Sequence, residues 1–108
     1  MHIGGGPNDA ATKAPIAQSV GTHFDELRAC WSNADDPMRG GSFGVDLLVP
    51  ADGGRAAVSH PRTAIRGEAF RDCVVEVFAR IDFARPRGGR TTVSYALRFA
   101  PSSVDASR

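Results

Sequence analysis

The sequence predicts an α+β fold of two layers, in which a three-stranded antiparallel sheet carries two helices on one face, in the order helix, strand, strand, helix, strand. Two segments repeat apolar residues at the three-and-four spacing of an amphipathic helix, and three alternate apolar and polar residues as strands do. A chain of 108 residues suffices for one domain with a single core. Because each predicted strand has one apolar face, we expect the helices on that side and water on the other.

The first predicted helix begins at Pro15 and ends before Asp35, Asp36 and Pro37. Its apolar stripe consists of Ile16, Val20, Phe24, Leu27 and Trp31, with Cys30 on the same side. Proline is favoured at the first helical position, where its missing N–H costs nothing. Residues 1–14 contain a glycine triplet and show no periodicity, so they are predicted to be a flexible lead-in.

Two strands form a predicted hairpin. The first alternates inward Phe43, Val45, Leu47 and Val49 with Gly44, Asp46 and Leu48. Residues 50–54 are a turn signal, and residues 55–60 are the expected partner strand, which Pro61 closes.

The second helix is predicted over residues 68–82, and residues 62–67 cross over to it. Its apolar face consists of Phe70, Cys73, Val74, Val77, Phe78 and Ile81. The last strand runs from Thr91 to Phe99, with Val93, Tyr95 and Leu97 on its apolar face. Residues 101–108 are polar and are predicted to fray, so the expected domain spans residues 15–100.

Cys30 and Cys73 are the two cysteines of the chain, and each lies on the apolar stripe of a predicted helix. Two inward sulfurs can form a disulfide that clamps the helices, or they can be two unreactive buried thiols, since free cysteine is among the most buried residue types. A bridge would close a loop of about 43 residues, for which loop-closure entropy predicts a stabilisation of roughly 4 kcal/mol. It would also indicate an oxidising compartment.

Positive charge is concentrated in the second half of the chain. Residues 1–54 hold three basic and seven acidic side chains, residues 55–108 hold ten basic and five acidic, and the net charge is +1. Twelve of the basic residues are arginine, which suits bidentate recognition of carboxylate or phosphate. A GC-rich genome produces the same arginine bias without selection for binding.

The sequence shows no constellation typical of a catalytic or metal site. His2, His23 and His60 lie on three different predicted elements, and the cysteines are far apart, whereas a zinc site needs three or four converging ligands. A Cys30–His23 nucleophile is formally possible, but an apolar stripe disfavours the thiolate. We therefore predict a non-enzymatic chain with no catalytic residue, no metal site and no cofactor.

A glycine-rich segment and an arginine cluster offer weaker indications of ligand binding. Residues 40–44 resemble a phosphate loop in composition, but they lead into a strand rather than a helix. Arg85, Arg87 and Arg90, with Arg62 and Arg66 nearby, are the basis of an alternative function, the binding of an anionic ligand or nucleic acid. The near-neutral net charge argues against a dedicated nucleic-acid binder.

No apolar run reaches the length of a membrane span, so no transmembrane segment is expected. The first residues also lack the basic segment and apolar core of a secretory signal. An exported protein with this sequence would be a mature form or an excised piece.

From Phe24 to Phe99 the chain resembles the C-terminal domain of TonB, and more closely the TonB-like C-terminal domains of myxobacterial gliding-motility proteins of the AgmX/PglI type. The motifs that carry the resemblance are Cys30-Trp31, Pro37, the strand from Gly41 to Val49, Asp52-Gly53-Gly54, Cys73-Val74, Phe83-Ala84-Arg85-Pro86 with Gly88-Gly89, and Val93-Ser94-Tyr95 with Phe99 at the end. The tyrosine-proline pair that opens the equivalent region of TonB proper is absent.

The resemblance implies a periplasmic or outer-membrane-associated location, a disulfide between Cys30 and Cys73, and a role in protein contacts across the cell envelope. It implies no catalysis. The expected function is therefore a cell-envelope interaction module with a protein or peptide partner.

A sheet edge is the expected binding surface, because its unpaired backbone groups can accept a partner strand. The strand Thr91 to Phe99 is the predicted edge. Its candidate partner-binding residues are Arg90, Thr92, Ser94 and Arg98, with the arginines selecting an acidic segment. The alternative interpretation is an edge that is kept charged to prevent aggregation.

Overall fold

The computed structural model describes residues 1–36 and 39–100, and the backbone of Ser103–Ala106. In chain order the elements are β1 (His2–Gly4), α1 (Ala10–Gly21), α2 (Phe24–Cys30), β2 (Gly41–Val49), β3 (Gly54–Arg55), β4 (Ala57–Thr63), α3 (Glu68–Arg80), β5 (Asp82–Phe83), β6 (Thr91–Ala100) and β7 (Ser103–Ala106), with a 3-10 turn at Trp31–Asn33. Pro37, predicted to help end the first helix, lies outside the described residues, as do positions 101, 102, 107 and 108 of the predicted tail.

The main sheet is antiparallel, with the spatial order β1, β6, β2, β4, and β7 also pairs with β6. The α+β class and the hairpin of β2 with β4 are confirmed. The prediction of three strands is wrong, because residues 1–14 and 101–108 contribute β1 and β7 rather than only a flexible lead-in and a frayed tail. A separate two-stranded ribbon joins β3 to β5.

The core lies on one face of the sheet. The buried residues of β2 and β6 alternate as predicted: Phe43, Val45, Leu47, Val49, Val93, Tyr95, Leu97 and Phe99. They share one cluster with the buried residues of all three helices. Trp31 stacks on Phe99 with ring centroids 5.5 Å apart, and Phe70 meets Phe99 edge to face at 5.0 Å. The two-layer arrangement is thus confirmed, with helices on the apolar side.

The first predicted helix is in fact two helices. Helix α1 begins five residues before Pro15, because the carboxylate of Asp9 accepts a hydrogen bond from the Thr12 N–H at 2.9 Å and caps it. Pro15 then lies inside the helix, where it has no N–H for the ladder. The chain breaks at Thr22 and His23 and resumes as α2, a break that falls after Gly21, a poor helix former.

Strand β1 is held by the side chain of Asn8. Its amide oxygen accepts from the Ile3 N–H at 2.7 Å, and its amide nitrogen donates to the Ile3 carbonyl at 3.0 Å. Ile3 itself is buried. The amide therefore satisfies the backbone groups of Ile3 as a neighbouring strand would, and it attaches the three-residue strand to the fold.

Strand β4 continues past Pro61, where the sequence predicts its end. Its register with β2 shifts between Gly44 and Asp46, so β4 contains a bulge. His60 lies in this bulge with a φ of 51°, in the left-handed region. Proline is tolerated at bulges and on edge strands, and β4 is an edge strand, which explains why Pro61 does not end it.

Candidate interaction surfaces

Cys30 and Cys73 form a disulfide, with 5.6 Å between their α-carbons. The bridge joins the end of α2 to the middle of α3, as the resemblance implies. Cys30 is fully buried and, being oxidised, offers no thiol, so the Cys30–His23 nucleophile is wrong. His23 instead places Nδ1 3.0 Å from Oε1 of Glu26.

An ion pair supplements this bridge between the helices. Arg80 of α3 donates to Oε2 of Glu26 of α2 at 2.9 Å. This hydrogen bond is the largest cause that holds the pKa of Glu26 below its ordinary value. Because Glu26 is exposed, the pair adds little stability, and the disulfide is the stronger clamp.

The predicted binding edge on β6 is wrong, because β6 pairs on both sides. One side pairs along β2 from Thr91 to Phe99. The other pairs with β1 through residues 92–94 and with β7 through residues 97–100. The sequence could not reveal this, since the two covering strands are three and four residues long and have no detectable periodicity.

The candidate partner-binding residues occupy the solvent-facing side of the sheet rather than a free edge. Thr92 and Arg98 are exposed, and Ser94 is partly buried. Ser94 accepts a hydrogen bond from Nη2 of Arg62 at 2.8 Å. Arg90 lies just before β6 and is exposed. The four residues therefore do not form one continuous surface on a strand edge.

A polar network crosses three strands on this outer face. Arg62 of β4 donates to Oδ1 of Asp46 of β2 at 3.1 Å, to Ser94 of β6, and to the His60 carbonyl at 2.9 Å. Nδ1 of His60 lies 3.2 Å from Oδ2 of Asp46. Sequence reasoning missed this network. The one sequence feature that pointed to it was Asp46, an acidic residue on the outward face of β2.

The other strand edges offer little room for an added strand. On β1, the Asn8 amide occupies the N–H and carbonyl of Ile3. On β4, the bulge at His60 and Pro61 interrupts the regular row of backbone groups with which an added strand would pair. Bulges and prolines are common protections of an edge. Strand addition is thus disfavoured at these two edges.

An arginine loop, defined as residues 84–90, protrudes between β5 and β6. Its centre is a β-turn in which the Gly89 N–H donates to the Pro86 carbonyl at 3.4 Å. Arg87 lies in the turn, Arg85 precedes it, Arg90 follows it, and all three side chains are exposed. Arg62 and Arg66 are predicted to lie nearby but do not join them. Arg62 pairs with Gly44 near the start of β2, whereas Thr91, the residue after Arg90, pairs with Val49 at the end of β2.

The arginine loop is fixed at both ends. The Ala84 N–H donates to Oγ of Ser19 at 3.2 Å, and the Thr91 hydroxyl donates to the Gly89 carbonyl at 2.6 Å. Within the loop, the side chain of Pro86 is buried. The turn 50–54 packs closely against the loop, so that a Cβ on Gly53 would lie 2.6 Å from the Phe83 carbonyl oxygen.

The carboxylate of Asp9 lies near this loop. Hydrogen bonds from Thr12 hold the pKa of Asp9 below its ordinary value, and attraction to Arg87 adds to that effect. Within the described residues, Arg85, Arg87 and Arg90 form no ion pair, whereas Arg28, Arg62 and Arg80 do. The three guanidinium groups are therefore exposed and have no ion pair in the described part of the chain, although Asp9 attracts Arg87 from a longer distance.

Two adjoining clefts lie at the other end of the sheet. One, of about 560 Å³, is lined by Asp35, Asp36, Arg39, Ile65 and Arg66 among others. The second, of about 520 Å³, shares Asp35, Ile65 and Arg66 and adds Glu68 and Arg71. Acidic and basic side chains are mixed in both, so neither presents charge of one sign.

Within residues 1–36 and 39–100, no group of three or more histidine, cysteine, aspartate or glutamate side chains is arranged to hold a metal ion. No helix of that region is both long and apolar enough to cross a membrane.

Comparison of the chain with family models, curated proteins and solved structures gives no match. The resemblance to the TonB C-terminal domain therefore remains a prediction from the motifs in the sequence.

Proposed function

We propose that this chain is a non-enzymatic protein-interaction module of the cell envelope, located in the periplasm or at the outer membrane, where it binds a segment of a partner protein. The observation that carries the proposal is the disulfide between Cys30 and Cys73. Structural disulfides are typical of oxidising compartments and rare in the cytosol. The TonB-like order of motifs adds support for the envelope and for a binding role.

The binding mode differs from the one that the sequence predicts. Strand addition at β6 is excluded from the proposal, because β1, β2 and β7 occupy both of its sides. Recognition through side chains on an exposed surface is the binding mode proposed instead for the partner segment. Three surfaces are available for it: the arginine loop, the outer face of the sheet and the outer face of α3.

Site-directed photocrosslinking in cells of the source organism tests the proposal. A photoreactive residue replaces Gly88 on the loop, Thr92 on the sheet or Glu76 on α3, each of which is exposed. We expect at least one position to give a discrete crosslinked product with an envelope protein, identified by mass spectrometry. The absence of a discrete product at all three positions would contradict the proposed function.

A further inference from the structure

The arginine loop carries three exposed arginine side chains on a backbone that hydrogen bonds hold at both ends. Arg85, Arg87 and Arg90 surround one β-turn, and the buried Pro86 and the hydrogen bonds at Ala84 and Thr91 fix its backbone. Binding to a rigid loop loses little backbone entropy. Arginine presents a planar fork of donors that matches a carboxylate, so a rigid turn with three forks can hold more than one anionic group.

The charge around the loop limits the size of its ligand. Asp9 lies near Arg87, and Asp82 pairs in register with Arg55 on the ribbon beside the loop. The whole chain carries a net charge of only +1. A long polyanion or a charged lipid surface would meet these carboxylates as well as the arginines. A short segment with two or three acidic groups would meet fewer of these carboxylates.

Other unpaired arginines of the described chain lack this arrangement. Arg39, Arg66 and Arg71 are equally exposed, but they line the clefts together with Asp35 and Glu68. Their charge is therefore partly compensated by neighbours. The arginine loop differs in combining a braced turn with three guanidinium groups that form no ion pair with a described residue.

From this geometry we propose that the arginine loop binds an acidic peptide segment, with carboxylates of the segment held by Arg85, Arg87 and Arg90. The inference rests on the proposed function, since it names the surface that meets the partner and the chemistry of the partner segment. It assigns the three arginines as binding residues and gives no such role to Thr92, Ser94 or Arg98.

Fluorescence anisotropy with a labelled, C-terminally amidated triglutamate peptide tests the assignment on the oxidised full chain. The loop variant carries Arg85→Gln, Arg87→Gln and Arg90→Gln, and its matched control carries Arg39→Gln, Arg66→Gln and Arg71→Gln, so both lose the same charge. Each exposed charge pair contributes a modest binding free energy. The loss of three of them together predicts about a tenfold rise in Kd for the loop variant. The control should rise by no more than about twofold, from long-range charge alone.

Several results would overturn the assignment. These are no binding of the triglutamate peptide by the parent chain, an equal rise in Kd for both variants, or tighter binding of a single-stranded thymidine oligonucleotide or of phosphatidylglycerol vesicles with the same loss in the loop variant. The photocrosslinking experiment separates this inference from the proposed function. A product from Thr92 or Glu76 with none from Gly88 supports an interaction module and contradicts the loop as its binding surface.

Discussion

Gly44 and Gly53 are glycines for different physical reasons. Gly53 has a φ of +80°, and a Cβ there would lie 2.6 Å from the Phe83 carbonyl oxygen. Gly44 has an ordinary backbone, but the side chain of Arg62 crosses it, with Nε 3.0 Å from where a Cβ would be. Gly53 permits a turn, and Gly44 makes room for the network on the outer face.

Gly53→Ala is expected to destabilise the fold by about 1–2 kcal/mol from the left-handed backbone alone, with a further loss from the contact at Phe83. Gly88→Ala is the control, because no atom lies within 4 Å of a Cβ there. Urea unfolding monitored by Trp31 fluorescence measures both. Equal midpoints for the two variants would contradict the tight contact of turn 50–54 with the arginine loop.

Tyr95 provides a pH prediction. Burial raises the pKa of its hydroxyl to about 12, above the value of about 10 in an unfolded chain. The stabilisation linked to this shift is complete below about pH 10 and is lost as the pH rises through 12. Tyr95 is the only tyrosine, so tyrosinate absorbance reports it directly. A titration midpoint near 10 in the folded protein would show that Tyr95 is not buried.

Sequence reasoning succeeds at the residue scale where side-chain direction follows from local periodicity. The inward positions of β2 and β6 and the inward sulfurs are predicted correctly, because a strand alternates and a helix repeats regardless of its neighbours. The positive φ of His60 and the network of Asp46, Arg62 and Ser94 were not predictable. Both depend on the register between strands that are distant in the sequence.

At the scale of the elements, the disulfide that joins α2 to α3 is expected to have a large effect on the free energy of unfolding. It closes a loop with a sequence separation of 43, and its loss should cost roughly 4 kcal/mol if the loss acts through the unfolded chain. Cys30→Ala with Cys73→Ala, compared with the oxidised parent by urea unfolding, measures this. An unchanged midpoint would mean that α2 and α3 are held together by packing and the Glu26–Arg80 pair alone.

Strand β1 depends on one side chain. Asn8→Ala removes both hydrogen bonds to Ile3, and unsatisfied backbone groups cost about 1–3 kcal/mol when they are buried. We expect the amide of Ile3 to exchange faster with deuterium, while Asn33→Ala, at an exposed position with no side-chain hydrogen bond shown, leaves exchange unchanged. Slow exchange at Ile3 in the Asn8 variant would show that pairing with Val93 alone holds the strand.

The elements that the sequence missed share a physical cause. Strands β1 and β7 are too short to show a pattern, and they form because the long β6 offers a free row of backbone groups. The break in the first helix at Thr22 and His23 leaves the apolar stripe nearly continuous, so periodicity alone reads two helices as one. The existence of an element was predictable where its buried face spans several turns, and so was the local hairpin of β2 with β4. The pairing of β6 with β1 and β7 was not.

For the whole molecule, edge protection changes how binding must be tested. Proline at Thr92 or Ser94 looks like a test of strand addition, but β6 is a central strand in the structure. Proline there would remove a ladder bond inside the sheet and damage the fold. Changes confined to exposed side chains, as on the arginine loop, are the informative ones for this topology.

The central claim is that the chain functions in an oxidising compartment with its helices clamped by Cys30 and Cys73. The most direct measurement is a free-thiol count, by alkylation and intact mass, on protein isolated without reductant from its source cells. The account predicts that both sulfurs are protected from alkylation after denaturation. Two freely alkylated thiols would contradict it, and would place the protein in a reducing compartment where an envelope partner is not available.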